Sequence, residues 1–168
     1  MNALITRAVS KAFAIAGLAF FAGSVLASDG GMARGNLSIE IDGPPDQVAI
    51  TQAYLVSGPD SLDAAKITRR IIFSAADMRP AIEACADANC ALYFSQERVW
   101  VSLDDEAMMS WHAQINDKQA SGMTSRAGLV LTTDKPDRVA GTLKLDMMGV
   151  KANIEFDAPL VTQSSPAE

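Results

Sequence analysis

Along most of this chain apolar residues recur at every second position, a period that suits a pleated strand and not a helix. Leu37, Ile39 and Ile41 alternate with Ser38, Glu40 and Asp42 until Gly43-Pro44-Pro45-Asp46 ends the run. Residues 48–56 form a second strand candidate, closed by Gly58-Pro59-Asp60. Residues 67–73 form a third, with Ile67, Ile71 and Phe73 on one face. Residues 127–133 make another, turned by Asp134-Lys135-Pro136-Asp137.

Parity then pairs the strands. Residues opposite one another in an antiparallel hairpin share a face, so the apolar sets of both strands must face each other. Residues 98–104 carry Val99, Val101 and Leu103; residues 108–115 carry Met109, Trp111, Ala113 and Ile115. Both sets are odd, which requires an odd-numbered loop at Asp105-Glu106-Ala107 and predicts the pairs Leu103–Met109, Val101–Trp111 and Val99–Ala113. Downstream, Gly141, Leu143 and Leu145 are odd whereas Ala152, Ile154 and Phe156 are even. An even loop, Met148-Gly149, answers that difference and holds the Gly that two-residue turns favour. The register becomes Leu145–Ala152, Leu143–Ile154 and Gly141–Phe156, with an aromatic across from a strand glycine and Asp146 opposite Lys151.

The period changes once. Ser74-Ala75-Ala76-Asp77 has the form of a capping box, and Met78, Ile82 and Cys85 follow at helical spacing. One short helix is expected on an otherwise β chain, with Pro80 confined to its first turn. The fold class expected is all-β, an antiparallel β-sandwich of seven to eight strands. A small closed β-barrel is the alternative.

Residues 1–27 read as a cleavable secretory leader. Arg7 and Lys11 supply a positive start, residues 12–27 carry no charge, and Val25-Leu26-Ala27 ends in small residues. The uncharged stretch is shorter than the roughly 20 residues a membrane span needs. No Cys follows the cleavage point, so a lipid-anchored product is not expected. A periplasmic or secreted protein without a transmembrane segment is expected after cleavage, with a flexible lead-in at 28–35, one domain at 36–161 and a disordered tail at 162–168. The full chain of 168 residues has a net charge of −6; losing Arg7 and Lys11 but no acid takes the mature chain to −8. That balance argues against a nucleic-acid partner, which requires clustered cations.

Export also governs Cys85 and Cys90. Two cysteines in an oxidising compartment have one intramolecular pairing available, and the six-residue loop is worth roughly 2 kcal/mol by chain entropy. Their spacing differs from Cys-x-x-Cys, so a structural disulfide is expected rather than a redox couple.

The least ordinary feature lies on the outward face of the 98–115 hairpin. Parity sets Trp100 opposite His112, the only histidine, and Arg98 opposite Gln114. Trp100, His112, Arg98 and Gln114 therefore form a candidate binding patch, since exposed aromatics beside Arg are common interface anchors. The competing expectation is that a helix or second sheet covers Trp100 as core. Copper is a sharper alternative, with Met108 and His112 as soft and borderline ligands supplemented by Met109, Met123, Met147 or Met148. The Asp104-Asp105-Glu106 loop lacks the alternating pattern of a calcium loop. No nucleotide, hydrolase-elbow or zinc-protease motif is present, and a hydrolase would have to use His112 with Ser102 or Ser110 and Asp104. The leading expectation is a non-catalytic module without a cofactor that binds a protein or envelope component.

Overall fold

In the computed structural model, which describes residues 31–163 except 61, 62 and 64, the alternating segments become nine strands. They are β1 Gly31–Ile39, β2 Asp46–Pro59, β3 Ile67–Ser74, β4 Arg98–Ser102, β5 Met108–Ile115, β6 Lys118–Ser125, β7 Leu129–Lys135, β8 Arg138–Met147 and β9 Val150–Pro159. A single helical turn, α1 at Arg79–Glu83, and a 3-10 turn at Cys90–Tyr93 lie between β3 and β4. The strands form one antiparallel sheet in the order β6-β5-β4-β3-β2-β1-β9-β8-β7, which leaves β6 and β7 as its edges. None of the helices among the described residues is long and apolar enough to cross a membrane.

This sheet curls, and side chains from distant strands meet inside it. Phe73 of β3 packs edge to face on Phe156 of β9, ring centroids 5.0 Å apart, although β2 and β1 lie between them in the ladder. Arg69, at the start of β3, reaches the β7–β8 turn and donates to the Asp134 carboxylate at 2.8 Å and the Lys135 carbonyl at 2.7 Å. Lys118 of β6 donates to the Pro44 carbonyl at 2.6 Å and pairs with Asp46 in the β1–β2 connection. The concave face holds the main core, with Leu37, Ile71, Phe73, Trp111, Ile154 and Phe156 all buried. Removing such apolar surface from water contributes about 25 cal/mol per Å².

Both parity arguments agree with the ladder as far as it runs, although β4 ends at Ser102 and the expected pair Leu103–Met109 is not part of it. Trp100 pairs with His112, Val101 with Trp111 and Val99 with Ala113. In the β8–β9 hairpin, Leu143 pairs with Ile154, Gly141 with Phe156 and Asp146 with Lys151. The two-residue turn has φ of 51° at Met148 and 77° at Gly149, the left-handed conformation that glycine adopts without a side-chain penalty. At Gly141 a Cβ would lie 2.0 Å from the Val130 carbonyl, so the close approach of β7 requires the missing side chain.

The convex face carries a second, smaller core. Ala53-Tyr54-Leu55-Val56 is buried at all four positions, because β2 has core on both sides. Tyr54, Val56 and Ile72 are covered on the outside by Met78, Ile82, Cys85, Ala88 and Val161. The Cys85–Cys90 disulfide, Cα atoms 5.6 Å apart, ties the loop that follows α1. Tyr54 anchors this cover: its hydroxyl donates to Asp77 Oδ1 at 2.7 Å and accepts the Met78 N–H at 3.0 Å.

Four expectations change. The described strands number nine instead of seven to eight, and they belong to one curled sheet instead of the two sheets of a sandwich. β1 begins at Gly31, within the expected flexible lead-in, because its backbone pairs with both β2 and β9 and Ala33 is buried. Gly and Ala at inward positions hid that alternation. β6 was absent from the expected strands for a related reason: Gly122 faces Trp111, and a Cβ there would lie 3.2 Å from the indole. The large ring fills the space that an apolar side chain on β6 would occupy. Finally, the capping box does not form. Met78 is the N-cap without a side-chain cap, the Ser74 hydroxyl donates to the Ala76 carbonyl, and Asp77 accepts the Arg79 N–H. The leader at 1–27 and residues 164–168 of the tail lie outside the described residues.

Candidate functional site

The outward faces of β3 to β6 continue beyond the cover formed by α1 and the disulfide loop. Trp100 sits at that margin, half-buried and packed against the second core with Phe94. On its other side the indole stacks with the His112 ring, centroids 6.1 Å apart and planes inclined by 22°. The Arg70 guanidinium lies 5.8 Å from the Trp100 ring centroid and donates to Asn89 Oδ1, so a cation already occupies one approach to the indole. Trp100 is thus half-buried, packed against core residues and in part accessible.

A hollow of about 410 Å³ opens beside this pair, lined by Leu92, Phe94, Ser95, Trp100, His112, Gln114 and Gln119 with Arg98 beneath. Its size falls within the range of small ligand sites. The 3-10 turn supplies Leu92 and the segment after it Phe94, while β4, β5 and β6 supply the rest. A broader hollow of about 580 Å³ on the outside of β1, β8 and β9 is lined mainly by solvated polar side chains such as Asn36, Lys144 and Asp146 and has no aromatic ring.

Arg98 corrects the expected patch. Only 2% of it is exposed, and its guanidinium donates to the Leu92, Phe94 and Gln96 carbonyls and to Gln114 Oε1. It fastens the 92–96 segment to the sheet and does not present charge to a partner. Gln114 is fixed by the same contact, since accepting from Arg98 through Oε1 leaves its amide nitrogen to donate into the hollow. Burial lowers the basicity of Arg98. His112 is also shifted below the ordinary imidazole value, first by burial and then by the Arg98 charge, so its ring is neutral at pH 7.

Met108 and His112 lie four residues apart on β5, roughly 13 Å at the usual strand rise, and they line different hollows. Met108 instead shares a hollow of about 320 Å³ with Met123, Ser110 and the far flank of Trp100. Among the described residues no group of three His, Cys, Asp or Glu side chains could hold a metal ion. Ser102 Oγ accepts the Ser110 N–H, and the Asp104 carboxylate accepts the Arg69 N–H, so neither is directed at His112. Asp105 accepts the Ala107 and Met108 N–H groups, which makes the acidic loop a hydrogen-bonded turn.

Parity placed Trp100, His112 and Gln114 together. It missed Leu92, Phe94, Gln119 and Arg70. Arg70 shares the outward parity of Ile72 and could have been read; Leu92 and Phe94 arrive through an irregular loop that no period marks. Comparison with known protein families, with characterised proteins and with solved structures finds no match to this chain.

Proposed function

We propose that this is an exported, non-catalytic binding module that engages a protein or another envelope component through the Trp100–His112 hollow. One observation carries the reading: a half-buried aromatic pair walls a hollow whose remaining lining, Arg98 apart, is apolar, amide or the Ser95 hydroxyl. The single charge beneath it, Arg98, is already committed to four acceptors, and His112 is neutral. Such a site suits an uncharged segment that offers an apolar group to Trp100 and a hydrogen-bond acceptor to Gln114. Export rests on the leader at 1–27 and accords with a disulfide in an oxidising compartment. In the same reading, the curled sheet is an up-and-down barrel left open between β6 and β7.

Photo-crosslinking from position 119 in cells exporting the protein tests the site. A discrete adduct that disappears in H112A/Q114A is expected. An adduct unchanged by that variant, or an equal adduct from a control probe at Asn153 on the outside of β9, would sink the reading.

A further inference from the structure

The two edges of the sheet are protected very differently. Edge strands expose unpaired backbone groups, and proteins commonly guard them with charges, proline or bulges. β7 shows all three: its register shifts between Leu131 and Thr133, it ends in Asp134 and Lys135, and Pro136 follows. Arg69 further holds its end through Asp134 and the Lys135 carbonyl. β6 shows none of them along its length. It pairs with β5 through eight consecutive residues without a shift, and its sequence is Lys118-Gln-Ala-Ser-Gly-Met-Thr-Ser. The one charge, Lys118, is drawn to the strand's end by Asp46 and the Pro44 carbonyl.

We infer that β6 pairs with β6 of a second copy of this chain, antiparallel and about a two-fold axis, making one sheet continuous across a dimer. Such an isologous contact requires the strand to be compatible with itself. Opposed residues must share a face, which leaves two central registers, with either Ser121 or Gly122 opposite its own counterpart. In the first, Gln119 faces the partner's Met123, Ala120 its Gly122 and Lys118 its Thr124. In the second, Ser121 faces the partner's Met123 and Ala120 its Thr124. The first register opposes no like charges, the second sets Lys118 opposite Arg126 just beyond the partner's β6, and the small Ala, Ser, Gly and Thr side chains offer no steric obstacle in either. Both also cover Met123, which is 62% exposed as a monomer surface. The first register sets the partner's Met123 beside Gln119, on the rim of the Trp100–His112 hollow. The inference concerns self-association and stands independently of what that hollow binds.

Sedimentation equilibrium across micromolar loading concentrations tests it. The wild-type protein is expected at twice the chain mass, dissociating on dilution. The variant S121K/M123K sets lysines against each other in either register, and both positions are exposed, so its circular dichroism should match wild type and its melting temperature that of wild type diluted to the monomer. Its dimer is expected to weaken by roughly tenfold or more. A wild-type protein that is monomeric throughout, or a folded double-lysine variant that dimerises as tightly as wild type, would overturn the inference.

Discussion

Trp100 and His112 stand opposite each other on β4 and β5 and stack at 6.1 Å, so the state of the imidazole is felt by the indole. Burial and the nearby Arg98 charge lower the His112 pKa from 6.5. The unfolded chain therefore takes up this proton first as pH falls. His112 contributes stability that is present above about pH 6.5 and is lost as pH drops toward its folded value. Because it is the only histidine, a single imidazole resonance in a proton NMR titration reports it, with a midpoint below 6.5 expected. A midpoint at or above 6.5 would contradict its burial beside Arg98. H112Q should remove this part of the pH dependence of melting.

Tyr54 gives the cover of the second core an alkaline limit. Burial, followed by the hydrogen bond to Asp77, pushes its pKa up to about 12 from 10.0. Stability from this group is complete below pH 10 and falls as pH rises toward 12. The Asp77 carboxyl is held below 3.8, chiefly by the Tyr54 hydroxyl, so its contribution is present above that value and fades as pH falls below it. Y54F removes the acceptor of the Met78 N–H and one of the donors to Asp77, which keeps the Arg79 N–H, and should cost about 1–3 kcal/mol. Urea denaturation at pH 7 and pH 11 checks both effects, the difference between the two pH values shrinking in Y54F.

The disulfide spans only six residues but closes the loop that covers Tyr54 and Ile72. C85S/C90S should lose roughly 2 kcal/mol through the greater freedom of its unfolded chain. For a domain of this size that corresponds to a melting temperature lower by roughly 5–10 °C. Calorimetry of the oxidised wild type and the double variant measures it. No change in melting would show that the loop is held by packing alone.

Arg98 holds 92–96 through three carbonyl acceptors, so shortening it acts on that segment first. R98M should destabilise by about 1–3 kcal/mol and admit proteolytic cleavage between residues 92 and 97. R98K retains charge but not the planar fork and should recover only part of the loss. Q114A, which keeps the three carbonyl contacts, should melt close to wild type. Limited proteolysis with mass spectrometry distinguishes the three variants.

Pairing within each hairpin could be read from residue types alone, because strand parity is local: opposed residues share a face, and one face must be apolar. Trp100 opposite His112, Leu143 opposite Ile154 and the Met148-Gly149 turn all follow from that rule. The rule falters where one residue serves another's space. Gly122 carries no apolar signal because Trp111 lies against it, and Gly31 and Ala33 look like linker until β9 and β2 flank them. Ala53-Tyr54-Leu55-Val56 is buried on both sides, yet nothing local to β2 named Met78, Ile82 and Cys85 as the outer cover. Curling is more remote still, since Phe73 meets Phe156 and Arg69 meets Asp134 only when strands far apart in the ladder close on one another. Alternation along a strand records which side must leave water. What it meets there is settled by the whole chain's packing, and that packing left Trp100 half-buried, against core residues and beside two surface hollows.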